Sequence, residues 1–348
     1  IDAGGHLKVG PRSAGSVPGP VCYGLGNTEP TVTDANVALG TLHPTHLLAG
    51  RMPIDRRRSL DAIKALSARL GLDPNATADG IIAVVTANMA KAIRVISVQR
   101  GHDPRDYVLV AFGGAGPLHA GRLARELEMP RILVPRSPGI LCALGLLLSD
   151  LRTNYALTRQ MTLTIDRATE IAGVFAELES RARRWFEEEG IAEGDRRVAP
   201  TVDIRYAGQN YELSVPVPAG ASGEGLIDAL RHGFEEAHRQ MYGYVASGET
   251  IQAITFRLEA IGKVRATDLR SHAAAADPVA AAEVGVRDVW IEAERRPVPH
   301  PVYDRERLAP GHTIRGPAIV EQMDATTVIL AGQTASVDAY LNIIVAET

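Results

Sequence analysis

The sequence has 348 residues, enough for two domains that each bury a core. Hydrophobic residues make up 45% of it, which is typical of a globular protein and excludes a disordered one. The net charge of −4 and the lack of a basic stripe argue against binding to nucleic acid or to a membrane surface. The longest apolar run, residues 140–148, is too short to span a bilayer. We therefore expect neither nucleic acid nor a membrane among its partners.

The two cysteines, Cys22 and Cys142, lie in unlike sequence contexts, which is typical of a reduced, cytoplasmic protein. Cys142 lies inside the apolar run, so we predict that it is a core residue. Gly4-Gly5 separates two short alternating segments, which favours a hairpin turn over a phosphate loop. Because this pattern begins partway through a strand, we expect the chain to be a fragment of a longer protein.

Residues 10–36 are rich in glycine and proline, carry little charge and have no helical or strand period. A long irregular stretch inside a compact domain is usually functional. It ends at Thr33-Asp34, which predicts the N-cap of a short helix over 35–39. Asp34 has two interpretations at this point, a capping residue or a carboxylate that faces a catalytic cleft. Both stay open.

Two amphipathic helices are predicted next. The first, over 59–71, has an apolar face that begins at Leu60, and Gly71 ends it. The second, over 77–100, has an apolar face that extends to Ile96. We expect both helices to pack in the core of the first domain.

The central stretch is a strand, a glycine turn and a helix. Residues 107–112 are apolar and rich in valine, which predicts a buried strand. Gly113-Gly114-Ala115-Gly116 follows, and apolar residues then recur at helical spacing over 118–127. Glycines allow a ligand to approach the backbone, and free N–H groups at a helix start favour anions. The turn predicts either a nucleotide site or an ordinary tight turn with no ligand.

The turn lacks both the G-x-G-x-x-G spacing and the Lys-Ser or Lys-Thr of a P-loop. His119 falls in the first turn of the helix, where it either faces a phosphate or is simply half-buried. A second strand over 131–135 and an apolar helix over 140–148 follow, and we predict that the two strands are parallel with helices packed on them. This order resembles the adenosine-binding end of the actin, sugar kinase and Hsp70 ATPase superfamily.

No metal site or nucleophile motif is predicted. His43 and His46 are three residues apart, but no carboxylate or cysteine cluster accompanies them, so we reject a zinc site. The sequence has neither a Ser-His-Asp order nor a nucleophile elbow.

The pattern of predicted elements changes after residue 150. An amphipathic helix over 170–190, an antiparallel pair of strands over 199–206 and 212–217, and a helix over 225–242 are predicted. A strand over 250–264 follows, and the rest consists of short strands and turns. These patterns predict an α+β domain that ends in a small β-rich module.

Long segments of the chain resemble the hydantoinase A and oxoprolinase family. They are SAGSVPGPVCYGLG with TEPTVTDANVALG (13–40), NMAKAIRVISVQRGHDPRDYVLVAFGGAGPLHA (88–120), DIRYAGQNYEL (203–213) and GPAIVEQMDATTVI (316–329). The family includes ATP-dependent N-methylhydantoinases, 5-oxoprolinases and the nucleotide-binding subunit of acetone carboxylases. The resemblance implies an α/β fold in which residues 1–150 are the second lobe of an actin-like ATPase, on the adenosine side of the cleft. Residues 151–348 are then a separate C-terminal domain.

The resemblance also implies an activity. ATP would phosphorylate a cyclic amide or small carbonyl substrate, and a hydantoinase B-type second subunit or domain would complete hydrolysis or carboxylation within an oligomer. Gly113, Gly114, Ala115 and Gly116 would bind the nucleotide, while Asp34 and His119 are the candidate catalytic groups. Mg2+ would be positioned by residues upstream of Ile1. A nucleotide-binding partner subunit without catalysis and a carbohydrate kinase of the same superfamily are the alternatives. The substrate stays open among hydantoins, oxoproline and small ketones.

Overall fold

The structure is a computed structural model that describes residues 1–264 and 270–348. Within these ranges the chain forms seven α-helices and fifteen β-strands. The helices are α1 (Val32–Leu39), α2 (Arg56–Leu70), α3 (Pro74–Ile96), α4 (Gly116–Glu126), α5 (Leu141–Leu148), α6 (Ala168–Glu188) and α7 (Gly223–Tyr242). The strands are β1 (His46–Leu47), β2 (Met52–Pro53), β3 (Val108–Val110), β4 (Arg131–Val134), β5 (Leu151–Thr162), β6 (Arg196–Tyr206), β7 (Leu213–Pro216), β8 (Ile251–Gly262), β9 (Glu283–Ile291), β10 (Arg296–Asp304), β11 (Thr313–Arg315), β12 (Ala318–Glu321), β13 (Thr326–Ile329), β14 (Gln333–Val337) and β15 (Ile343–Glu347).

The chain divides into two compact units. The first comprises residues 1–144 and 268–348, and the second comprises residues 145–267. The predicted contiguous domains, 1–150 and 151–348, differ from this arrangement, because the end of the chain returns to the first unit. There β15 pairs antiparallel with β4. A hydrophobic pattern identifies a strand but not the partner with which it pairs.

The first unit contains a five-stranded mixed sheet in the order β11-β14-β15-β4-β3. β3 and β4 pair in parallel, with Leu109 opposite Ile132, which confirms the predicted orientation. α4 connects these two strands, and Leu123 of α4 and the C-cap residue Leu127 are buried in the same core as Ile132 and Val345. The predicted strand, glycine turn, helix and strand therefore form one packed supersecondary unit.

Two segments predicted to be buried are exposed. β3 lies at the edge of its sheet, and Val108 and Val110 are 40% and 45% exposed. None of the residues of α5 is buried, and Leu146 is 78% exposed. Cys142, which lies in α5, is also exposed and is not a core residue. Hydrophobicity shows that a segment can be buried, but it does not show which surface covers it.

The helices α1, α2 and α3 share one core that includes Leu39, Ile63 and Ile81. Gly71 ends α2 in a left-handed conformation, as predicted. The predicted apolar faces extend too far, because Leu60 and Ile96 are exposed. The helical stretch Pro74–Arg100 is long and apolar enough to cross a membrane by length and composition alone. Core helices share these properties, and α3 packs its buried face against α1 and α2.

The first nine residues form a turn without strands. Gly5 has a φ of 82°, and the Asp2 side chain accepts hydrogen bonds from the N–H groups of Gly4 and His6. The predicted turn is therefore present, and the two strands of the predicted hairpin are not. An aspartate side chain that bonds nearby N–H groups stabilises such a turn without a strand ladder.

The predicted β-rich module is not separate. β9, β10, β12 and β13 form a four-stranded sheet of the first unit, in the order β13-β12-β10-β9. The other strands from the same part of the chain, β11, β14 and β15, extend the sheet that contains β3 and β4. Residues 89–134 and 279–345 thus contribute to one core.

The second unit is an α+β fold. Its antiparallel sheet has the order β5-β8-β6-β7, which includes the predicted pairing of β6 with β7. α6 and α7 bury Phe175 and Phe234 in one core with Phe256 of β8.

Candidate functional site

A cavity of about 810 Å³ opens within the first unit. Three distant stretches of sequence line it: part of residues 23–36, the segment from Gly114 to His119, and the loop and strand residues 321–326. Residues 42–49 complete much of the wall. The volume is in the range of small-molecule and cofactor sites. We call it the main cavity.

The four residues of the glycine turn have different positions in this wall. Gly114 and Ala115 line the main cavity. Gly113 has a φ of 80°, and its N–H donates to the Pro138 carbonyl at 2.7 Å. Gly116 is the first residue of α4 and, like Gly113, is outside the lining. The predicted nucleotide-binding set is therefore split, with two of its residues at the cavity.

The turn between β12 and β13 packs against the glycine turn. A Cβ atom at Gly114 would lie 3.3 Å from the Asp324 carbonyl oxygen, and one at Gly139 would overlap the Asp324 side chain. Gln322 Nε2 fixes that carboxylate with a hydrogen bond of 2.6 Å to Oδ1. Both glycines thus allow the close approach of Asp324. This is a structural reason for them that does not require a ligand.

The start of α4 also lies at the wall of the main cavity. Among the described residues no side chain caps its first turn, and Pro117 has no N–H to satisfy. His119 is buried and lines the main cavity. Burial disfavours the imidazolium form and the Arg122 charge adds to this effect, so the pKa of His119 lies below its ordinary value. A neutral His119 can donate or accept a hydrogen bond, but it brings no positive charge for a phosphate.

Asp34 is fully buried and lies outside the cavity lining. Its Oδ1 accepts from Cys22 N–H at 2.9 Å and from Ser59 Oγ at 2.7 Å. Its Oδ2 accepts from Val21 N–H and from the N–H and Oγ1 of Thr31, each at 2.9 Å.

These bonds decide between the two interpretations of Asp34. Thr31 is the N-cap of α1 and Asp34 completes a capping box, so the helix begins at Val32, earlier than predicted. Burial alone would raise the pKa of Asp34, but the hydrogen bonds from Ser59, Thr31, Val21 and Cys22 together hold it below its ordinary value. Asp34 therefore orders the irregular stretch and does not face the cavity.

Two histidines that the sequence did not mark as functional also line the cavity. The rings of His43 and His46 have centroids 3.5 Å apart, and Thr45 Oγ1 lies within 3.3 Å of Nδ1 of each. The pKa of His43 lies below its ordinary value, mainly because of burial. The carboxylate of Glu321 raises this pKa, whereas His46 and Arg287 lower it further. In the described part of the chain no group of three or more potential metal-ligating side chains is found.

Four carboxylates line the cavity, those of Asp304, Glu306, Glu321 and Asp324. Among the described residues that line it there is neither lysine nor arginine. It therefore suits an uncharged nucleoside or amide, while phosphate charges would need donors from outside it. Glu321 and Asp324 fall in the 316–329 segment that carries family resemblance, whereas Asp304 and Glu306 had no sequence signal.

The chain matches known proteins along nearly its whole length. The Hydantoinase/oxoprolinase family profile matches residues 1–155, and the profile of the Hydantoinase/oxoprolinase C-terminal domain matches residues 159–346. The caprolactamase subunit alpha of Pseudomonas jessenii is 34% identical over 343 residues, which cover 97% of this chain and 49% of that protein. The acetophenone carboxylase gamma subunit of Aromatoleum aromaticum is 34% identical, over 97% of this chain and 47% of that protein.

The crystal structure of the ATP-dependent caprolactamase from Pseudomonas jessenii superimposes with a TM-score of 0.80 at 32% identity. The match covers 100% of this chain and 51% of the caprolactamase chain. The chain thus spans about half the length of the curated relatives that it matches. The profiles, the identities and the shared fold establish that this chain belongs to the hydantoinase/oxoprolinase family.

Proposed function

We propose that the chain is part of an enzyme subunit that uses ATP to activate a cyclic amide for ring-opening hydrolysis. One observation carries the proposal. The resembling segments 13–40, 88–120 and 316–329 are far apart in sequence, yet all three contribute residues to the main cavity. Segments that converge on one concave site favour a shared role in binding and chemistry over separate structural roles.

The names of the relatives support this substrate class. One relative is a caprolactamase subunit, and the solved structure is described as an ATP-dependent caprolactamase. A second reaction, carboxylation of a small carbonyl compound, is favoured by the acetophenone carboxylase subunit at the same 34% identity. For the cyclic amide, phosphorylation of the carbonyl oxygen would make that oxygen a better leaving group, so that water can attack the attached carbon and the phosphate can depart.

The residues of the chain define what the cavity can do. The backbone of Gly114 and Ala115 would lie against the nucleoside, and the neutral His119 would form a hydrogen bond with it or with the substrate. When bound, ATP supplies the phosphoryl group that activates the substrate oxygen. Positioning and charge neutralisation are the main contributions of a protein to this chemistry, so the lack of a nucleophile motif is consistent with it.

The proposal also includes a partner subunit, a metal ion, a location and a fold identity. The relatives include subunits of enzymes that have several subunits, which supports a hydantoinase B-type partner and an oligomer. Mg2+, the actin-like identity of residues 1–150 and a cytoplasmic location are further parts of the proposal. The first two rest on the family resemblance, and the location rests on the two cysteines in unlike contexts.

The test uses the proposed enzyme subunit together with the proposed second subunit. Phosphate release from ATP is measured with ε-caprolactam, hydantoin, 5-oxoproline and acetone in turn. We expect release to depend on one of the cyclic amides and to fall in the variant Gly114→Val. Release that depends only on acetone would favour carboxylation. ADP binding without substrate-dependent release would favour a nucleotide-binding subunit that has no catalytic role.

A further inference from the structure

A second cavity of about 450 Å³ lies beside the main cavity. His43 and Glu321 line both cavities, so the two share a wall. Unlike the main cavity, the second one has two arginines in its lining, Arg56 and Arg287. All of these residues belong to the first unit.

Each guanidinium group is anchored through one nitrogen. Arg56, the first residue of α2, donates from Nη2 to the Ala38 carbonyl at 2.9 Å. Arg287 of β9 donates from Nη2 to Glu321 Oε1 at 2.7 Å, and its side chain is only 13% exposed. The anchors fix both groups before any ligand binds, which reduces the entropy lost on binding.

Each guanidinium group also keeps a buried nitrogen without an acceptor. These atoms are Arg56 Nε and Arg287 Nη1, for which no hydrogen-bond partner is found in the parts of the chain that the structure describes. A buried N–H without an acceptor costs about 1–3 kcal/mol, and buried polar groups are almost always paired. Both unpaired donors belong to side chains that line the second cavity, which indicates that an acceptor belongs beside them.

We propose that the second cavity binds a small oxyanion, a carboxylate or a phosphate group, through the guanidinium groups of Arg56 and Arg287. Arginine presents several donors in a plane that matches the oxygens of both anions. Two carboxylates also line the cavity. Glu321 is already paired with Arg287, and Asp288 is exposed, where water and salt screen its charge. The inference concerns the anion alone and does not depend on the proposed enzymatic activity.

The test is isothermal titration of the 348-residue chain with sodium acetate and with sodium phosphate at constant ionic strength. We expect saturable binding of at least one anion and at least tenfold weaker binding in Arg56→Gln and in Arg287→Gln. Arg57→Gln is the matched control, because Arg57 lies next to Arg56 on α2 but is exposed and outside the cavity. Binding of acetate alone assigns a carboxylate ligand, and binding of phosphate alone assigns a phosphate group.

Folding of the variants is checked by thermal unfolding. If a glutamine variant does not fold, Arg56→Lys or Arg287→Lys replaces it, because lysine keeps the charge and loses the planar set of donors. Weaker binding in the folded lysine variant supports the proposal. Lack of saturable binding of either anion, or an equal loss of affinity in Arg57→Gln, would overturn it.

Discussion

Ser59 Oγ donates a hydrogen bond of 2.7 Å to Asp34 Oδ1, and this bond between two fully buried side chains joins α2 to the start of α1. The same carboxylate holds the N–H groups of Val21 and Cys22. One side chain therefore orders a glycine- and proline-rich stretch that has little regular structure of its own. The network gives the first prediction.

We expect Asp34→Ala to lower the free energy of unfolding by about 3–5 kcal/mol, since it leaves several buried donors unpaired. Ser59→Ala removes one hydrogen bond to the carboxylate and should cost about 1.5–3 kcal/mol. Urea unfolding measures both, and the double variant should lose less than the sum because the two groups share a bond. Full additivity would contradict a shared network.

The pH dependence of the same group follows from its pKa. The folded protein holds the pKa of Asp34 below the ordinary value of 3.8. The stabilisation is therefore complete above about pH 4 and is lost as the pH falls through the folded pKa. Asp34→Asn should lack this portion of the acid-induced loss, as measured by urea unfolding between pH 5 and pH 2.

The contact between Gly139 and Asp324 gives the second prediction. A Cβ atom at Gly139 would overlap the Asp324 side chain, so Gly139→Ala should cost about 1–3 kcal/mol of stability. Asp324→Gly removes the overlapping atoms, and the double variant should therefore be more stable than the sum of the single effects predicts. A simple sum in urea unfolding would show that the two residues do not meet.

Gly114→Val should weaken ADP binding at least tenfold in the proposed enzyme subunit. The new Cβ atom would also lie 3.3 Å from the Asp324 carbonyl oxygen, so the variant should lose some stability and its affinity is measured below its own melting temperature. Gly114 lines the main cavity, and a branched side chain would occupy the space of a ligand. Calorimetry measures ADP affinity, and Gly116→Ala is the control because Gly116 lies in the same turn but outside the lining. Equal affinity for ADP in Gly114→Val and the unaltered protein would contradict the assignment.

His119 should make the protein less stable in mild acid. Its folded pKa lies below the ordinary value of 6.5, so the unfolded chain binds more protons as the pH falls below that value. Stability therefore falls from about pH 7 towards pH 5, and His119→Gln should reduce this fall in urea unfolding. His6→Gln is the control, because the His6 side chain is 82% exposed and lies outside the cavity. An unchanged pH profile in His119→Gln would count against a buried neutral histidine.

Deletion of residues 338–348 should unfold the first unit. The deletion removes β15, which lies between β14 and β4 in the five-stranded sheet. Hydrogen exchange should show loss of protection in β4 and α4, while α6 and β8 of the second unit keep theirs. Arg125→Gln is the control, because it removes the half-exposed ion pair between Arg125 and Glu347 and a hydrogen bond to the Ala331 carbonyl but leaves β15 in place, and it should cost about 1 kcal/mol. Unchanged protection of β4 in the deletion variant would contradict this topology.

The sequence by itself determined the local elements and the family. The apolar run before Gly113, the glycine turn and the helical spacing after it predicted the parallel pair β3 and β4 with α4 between them. α6, α7 and the pairing of β6 with β7 followed from periodicity in the same way. These features depend on near neighbours in the chain, which pattern and turn chemistry describe well.

Only the tertiary structure decided which distant segments meet. It returned β15 to β4, placed Asp324 against Gly139, and brought His43 and Glu321 to the wall of the cavity. It also showed that Asp34 is buried, where it orders the irregular stretch before α1, and that α5 is exposed. Strand pairing and burial depend on surfaces contributed by residues far away in the chain. A single sequence shows that a segment can pair or be buried, but it does not show which segment is its partner.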